Sequence, residues 1–323
     1  MKKIAASILS LALVTGSSFA ADLSERAGAI LPPPLPIPSS PAWTGFHFGL
    51  NAGGAWGNDA SLSRTGFPVY ARPQSAATTI PVVTGVAMGL TGAQNLQTAA
   101  GFIGGAQLGY DFQRGSLVFG LEADFQGVAG GEQSGGPTVK SFPYSYYSLA
   151  RGAYLDNNEI TRLAGEKTLN YIGTARAKVG YLATPDILIY ATGGLAYGGV
   201  TLKSATNVVD ISELTDEYGI GLSSRSATLA GWTAGGGIEW MFVKNWSAKL
   251  EYLYYDLGSL QMFGGAAFQT RNAVPPFGAG TPQGEVATIA GQNVSARFNG
   301  NILRAGVNYH FDWDAVAPLV AKF

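Results

Sequence analysis

The sequence predicts an all-β fold, an eight-stranded antiparallel transmembrane up-and-down β-barrel with long external loops and short periplasmic turns. Three observations predict it. Apolar residues recur with period two over segments of about ten residues, the length at which a tilted strand crosses a bilayer. Glycine is abundant, at 45 residues, and charged residues are scarce, at 13%, where roughly 7% Gly and 25% charge are usual. The connections between alternating segments run long and short in turn, as external loops and periplasmic turns do.

Composition narrows the chemistry. A net charge of −1 carries no footprint for nucleic acid. There are no cysteines, which excludes disulfides, thiolate metal sites and Cys nucleophiles. Two histidines, His47 and His310, leave little for a metal cage or a His-based triad.

Residues 1–20 read as a secretory signal peptide: Lys2 and Lys3, an apolar run from Ile4 to Val14, then the small-x-small site Ser18-Phe19-Ala20. Residues 21–42 form a Pro-rich periplasmic linker holding Pro32, Pro33, Pro34, Pro36, Pro38 and Pro41. Such a run favours extended geometry and builds no core. The barrel spans 43–311, and 312–323 is a C-terminal tail.

The first strand is Trp43 to Trp56, with Phe46, Phe48, Leu50, Ala52 and Trp56 on one face and Gly45, His47, Gly49, Asn51 and Gly53 on the other. A bilayer tolerates no open sheet edge, so this strand requires antiparallel partners around a closed ring. Residues 57–98, rich in Gly, Ala, Thr and Pro, read as a surface loop that includes the broken apolar run Val82 to Leu90. Ala99 to Phe112 and Leu117 to Gln126 form a hairpin about Gln113-Arg114-Gly115-Ser116. A second loop, 127–167, carries Phe142, Tyr144, Tyr146, Tyr147 and Tyr154; a hairpin rising beyond the membrane is favoured over a Tyr-rich recognition surface.

Thr168 to Tyr181 and Ile187 to Gly199 pair across Ala183-Thr184-Pro185-Asp186. The acidic third loop, 200–225, with Asp210, Glu213, Asp216 and Glu217, lacks EF-hand spacing and reads as solvated. Ala227 to Met241 turns at Val243-Lys244-Asn245 into Trp246 to Leu257. After a fourth loop, 258–297, Asn301 to Phe311 closes the count at eight.

The register sends Glu122, Asp124, Arg176, Lys178, Glu239, Lys249, Glu251 and Arg304 inward, four acids and four bases expected to form a charged plug. Glu122 and Arg176 fall at similar heights on neighbouring strands, and Glu239 is expected to face Lys249 across a tight turn. Two aromatic girdles are expected at the two interfaces. Tyr110, Phe112, Tyr181, Trp240, Trp246, Tyr309 and Phe311 lie near the turns, and Trp56, Tyr171, Tyr197, Trp232 and Tyr254 near the loops.

Trp43-Thr44-Gly45-Phe46, the run Gly49-Leu50-Asn51-Ala52-Gly53-Gly54, the segment 190–198, Lys249-Leu250-Glu251-Tyr252 and the segment 304–311 together resemble the small outer-membrane β-barrels of alphaproteobacteria. These are the outer membrane immunogenic protein family, similar in barrel to the N-terminal domain of OmpA. The resemblance implies a surface antigen in the outer membrane, delivered by the barrel-assembly machinery and exposing loops to a host or surface ligand. It also implies a final-strand aromatic as assembly signal. Phe311 is the expected one, because Pro318 makes 316–323 a poor strand. Haem or iron-chelate binding is known in that family and His47 and His310 are available, but interior histidines satisfied by neighbours are the favoured reading.

No catalytic, cofactor-binding or metal-ligating set is expected. Gly104-Gly105 and Gly235-Gly236-Gly237 lack the strand–Gly–helix context of a nucleotide loop and suit a crowded barrel wall. A non-enzymatic envelope protein with a filled lumen is the leading expectation. A narrow channel for small solutes and a lipid-modifying barrel are the alternatives. Eight strands leave an interior that side chains can fill; a fifth hairpin hidden in 57–98 or 127–167 would widen it.

Overall fold

A computed structural model describes residues 43–71, 87–148, 152–212, 216–271 and 285–311. The signal peptide, the linker and the tail from 312 lie outside the described residues. Among the described residues there are eleven strands: β1 (Gly45–Gly57), β2 (Ser61–Ala71), β3 (Gly92–Asn95), β4 (Ala100–Arg114), β5 (Leu117–Gly130), β6 (Gln133–Ser148), β7 (Ala153–Thr184), β8 (Ile187–Ser212), β9 (Asp216–Val243), β10 (Trp246–Arg271) and β11 (Glu285–His310).

Eight of them make the membrane wall, in the order β1, β4, β5, β7, β8, β9, β10, β11, each antiparallel to its neighbours. The ring closes where β11 returns to β1, from His47 opposite His310 to Gly57 opposite Gly300. Closure satisfies every backbone edge in the bilayer, which is the condition for spanning it with strands. The turns that join β4 to β5, β7 to β8 and β9 to β10 are each two residues long; Gly115 and Asn245 supply the left-handed conformations that such hairpins require.

Residues on the wall's outer face are exposed and apolar. Phe48, Leu50, Leu108, Leu121, Val179, Ile189, Leu195, Ile238, Leu250 and Val307 all present side chains to lipid. The girdle residues bracket this band. Near the turns, Trp246 contacts Tyr309 at 5.2 Å between centroids and Tyr309 contacts Phe311 at 5.1 Å. Near the loops, Trp232 contacts Tyr254 at 5.3 Å and Phe125 contacts Tyr171 at 5.5 Å. Tyr110, Phe112, Tyr181, Tyr197 and Trp240 are exposed, and Trp56 is half-buried at the top of β1.

Two boundaries differ from the sequence reading. The first strand starts at Gly45, not Trp43, because Gly45 takes a φ of 144° and breaks the extended run. Among the described residues, the four long connections are mostly strand. In 57–98 lie β2, β3 and a helical turn at 87–89, while 72–86, with the start of the Val82 run, lies outside the described residues. In 127–167, β6 pairs with the upper part of β7, so the connection is a raised hairpin. Strands β8 and β9 continue pairing through 200–225, and β10 and β11 through most of 258–297. The side chains of Asp210, Glu213, Asp216 and Glu217 lie outside what is described.

These extensions form a head above the ring. One sheet runs β6, β7, β8, β9 and the other runs β3, β2, β11, β10. Pairing between β9 and β10 stops at Trp232 opposite Asp256, which separates the two sheets on that side. The extra strands β2, β3 and β6 belong to this head, so the membrane wall keeps eight strands.

Candidate functional site: a filled lumen

The inner face of the ring carries small residues where large ones must lie down. A Cβ on Gly109 would meet the His47 ring at 2.5 Å, and one on Gly120 would meet Asp111 Oδ1 at 2.0 Å. Gly109 and Gly120 therefore give polar side chains room to cross the lumen, whereas a Cβ on Gly105 or Gly235, two of the glycines expected to suit a crowded wall, would meet a neighbouring strand's carbonyl oxygen at 2.1 and 2.0 Å.

All eight predicted interior charges are buried, none more than 5% exposed. Register builds two cross-strand pairs: Glu122 opposite Arg176 on β5 and β7, and Glu251 opposite Arg304 on β10 and β11. The lumen joins them. Arg176 donates to Glu251 at 3.0 Å and Asp124 at 2.9 Å and is also bonded to Glu122. Arg304 donates to Glu251 at 2.7 Å and back across to Asp124 at 2.8 Å. Lys249 donates to both oxygens of Glu122, at 3.0 and 3.2 Å. Buried charge is tolerated only when paired and hydrogen-bonded, and each guanidinium here bridges carboxylates from different strands.

Glu239 does not pair with Lys249, although the two are opposite one another in register. Lys249 reaches across to Glu122, and Glu239 instead accepts from Ser247 Oγ at 2.5 Å and Asn308 Nδ2 at 2.6 Å. Side-chain length explains this correction: the ammonium can reach the centre of the ring, where three carboxylates converge.

The sequence reading left out further members. Asp111 accepts from Lys178 at 2.8 Å and lies 3.4 Å from His47 Nδ1. His310 lies 2.9 Å from Ser247 Oγ, and the two imidazoles are 5.4 Å apart. Asn51, Gln107 and Asn308 extend the tier through bonds of 3.1 and 2.5 Å. Asp111 between Tyr110 and Phe112, His47 between Phe46 and Phe48, and Asn308 between Val307 and Tyr309 each alternate with apolar neighbours, which was the available signal. Tyr190, on β8, donates to Glu251 at 3.0 Å and lies beneath Lys178. His310 is bonded to Ser247, whereas neither ring nitrogen of His47 has a hydrogen-bond partner, although Asp111 and Glu122 lie 3.4 and 3.6 Å away; among the described residues no cluster of metal-ligating side chains occurs.

Apolar layers lie on both sides of the charged tier. Below it, towards the turns, are Trp43, Val118, Leu182, Leu188, Tyr190 and Met241. Above it, a larger core containing Ile103, Ile172, Leu253, Tyr255 and Ile302 runs on into the head through Leu62, Leu202 and Val294. Within the head a polar layer follows. Arg64 of β2 donates to Ser204 of β8 at 2.6 Å and to Gln94 at 2.9 Å, and burial pushes its guanidinium down to about 10. Lys167, 4% exposed, donates to the Arg297 carbonyl at 2.8 Å; burial lowers its ammonium to about 8, opposed by the Asp59 carboxylate. Leu90, Leu163, Val208 and Ala290 close the top.

The comparisons with known proteins match a membrane strand ring of this kind. The family model described as outer membrane protein beta-barrel domain fits residues 41–311. The chain belongs to that family. It is 30% identical over 273 residues to the 31 kDa outer-membrane immunogenic protein of Brucella melitensis, covering 84% of each chain. The 25 kDa outer-membrane immunogenic protein of Brucella abortus is 25% identical, over 78% of this chain and 84% of that one. The 22 kDa outer membrane protein of Rhizobium leguminosarum is 28% identical, over 49% of this chain and 54% of its own. The family and the fold put this barrel in the outer membrane, as the alphaproteobacterial resemblance implied.

Proposed function

We propose that this is a non-enzymatic, surface-exposed outer-membrane protein whose barrel is sealed and whose head is its working surface. The observation that carries the reading is the charged tier held between two apolar layers. Its Arg and Lys side chains are each bonded to at least one of its carboxylates, which supports a structural role over one on a substrate or along a water path. An open channel through this chain would need a continuous polar route, and the apolar core around Leu253 and Ile302 supports the sealed reading over it. In a planar bilayer the purified wild-type protein is expected to conduct little; large, steady open-channel currents would defeat this reading and favour the porin alternative.

The head supplies the contacts with the outside. Its partners are proposed to be outer-membrane lipid around the girdles and a host or surface ligand on the strands beyond the outer girdle. The word immunogenic in the relatives' names supports the antigen role. The barrel-assembly machinery is the proposed partner during insertion. Added protease on intact cells is expected to cut within 57–98, 127–167, 200–225 or 258–297. Cleavage confined to 113–116, 183–186 and 242–245 would mean that the barrel is inserted the other way round.

A further inference from the structure

The lower apolar layer has an unusual centre. Five of its residues are inward positions of wall strands: Val118 on β5, Leu182 on β7, Leu188 and Tyr190 on β8, and Met241 on β9. The sixth, Trp43, precedes β1 and is not part of the wall, yet it is completely buried.

Polar contacts to the turns fix it there. The Trp43 backbone N–H donates to Gln113 Oε1 at 3.0 Å, and the Gln113 N–H donates to Thr44 Oγ1 at 3.0 Å. The indole Nε1–H donates to the Pro185 carbonyl at 3.0 Å, in the turn between β7 and β8. The indole meets the His310 ring edge-on, with centroids 5.6 Å apart. His310 is itself tied to the third turn, because Asn245 Nδ2 donates to its carbonyl at 2.8 Å. One residue thus touches, through its backbone, its indole or one neighbour, all three periplasmic turns. A buried indole needs a partner for its N–H, and here the partner is a turn carbonyl across the mouth of the ring.

We propose that Trp43 is the stopper of the periplasmic mouth: a side chain supplied by the chain's entry segment that closes the lumen independently of the charged tier above it. The barrel then has two seals in series. The charged tier bars passage through the middle, and Trp43 keeps periplasmic water away from the tier's lower face, where His310 and Lys178 lie. Wall side chains reach this layer from β5, β7, β8 and β9, and the indole meets His310 of β11 on the other side.

The absence of cysteine in the natural chain makes the test direct. Val118→Cys places a single thiol in the lower layer, and a charged maleimide that cannot cross lipid is supplied from the periplasmic side of the folded barrel. Thiol reactivity follows access, so labelling is expected to be slow with Trp43 present and at least about tenfold faster with Trp43→Ala. Trp43→Phe, which keeps a ring in the layer, is expected to label at the slow rate. Should Trp43→Ala fail to give a heat-modifiable, folded barrel, Trp43→Val takes its place in the same comparison. Equal rates in the folded Trp43 and substituted proteins would overturn the stopper. The bilayer conductance of the wild type reads the central seal instead, so the two proposals can fail separately.

Discussion

Arg304→Ala is expected to destabilise the barrel by roughly 3–5 kcal/mol, the cost of leaving buried carboxylates without their cation. Arg304 is 1% exposed. It donates to Glu251 at 2.7 Å and to Asp124 at 2.8 Å, so its loss strips a partner from two acids that water does not reach. Arg176 remains bonded to both acids, but both of its terminal nitrogens are already engaged, one of them shared with Glu122. Urea unfolding in lipid vesicles, read as a shift in midpoint at constant slope, measures the loss. The companion Arg304→Met with Glu251→Gln removes a cation and an anion together and is expected to cost less than the single change. A single-mutant loss below about 1 kcal/mol is what a water-exposed pair would give, and would place solvent in the tier.

That tier was largely legible in the sequence because alternation in a membrane wall is unambiguous. Lipid makes every outward residue apolar, so a charged residue between two of them points inward, as Glu122 does between Leu121 and Ala123. Distance across the lumen was not legible. Register put Lys249 beside Glu239, but three-dimensional convergence gave Lys249 to Glu122. Trp43 was taken for a wall residue because it falls just before an alternating run.

The head was missed for a physical reason visible in β8. Up to Tyr197 the apolar, outward positions are odd-numbered: Ile189, Ala191, Leu195, Tyr197. From Val200 the buried apolar residues are even-numbered, Val200, Leu202 and Val208, while Thr201, Lys203 and Asn207 take odd, less buried positions. The pairing of β8 with β9 runs through this change with no register shift. What changes is the surrounding medium: outside the bilayer water replaces lipid, and the greasy face turns to the interior. A period-two reading that follows one phase sees the strand stop where only the solvent stops being lipid. Gly and Thr in the same stretches strengthened the appearance of loops.

That inversion yields the second large effect. Leu121→Arg is expected to cost roughly 2–4 kcal/mol, as a cation on the lipid face near the midplane does. Leu222→Arg, in the head, is expected to stay within about 0.5 kcal/mol of wild type, as exposed substitutions usually do. The two leucines are equally free of protein contact, at 68% and 74% exposed, and both sit on outward faces of strands. Exposure and strand geometry therefore do not separate them; only the medium does. Leu121 stands four residues above the turn at Arg114–Leu117, between the girdles marked by Phe112 and Phe125. Leu222 pairs with Ala205, on a row above Lys203, whose ammonium is bonded to Glu166 in open solvent. A cation belongs naturally on that row and has no water to meet at Leu121. Refolding into lipid vesicles followed by urea titration compares the two directly. Equal losses would mean that the head shares the bilayer with the ring, and equal tolerance would mean that the band carrying Leu121 faces water.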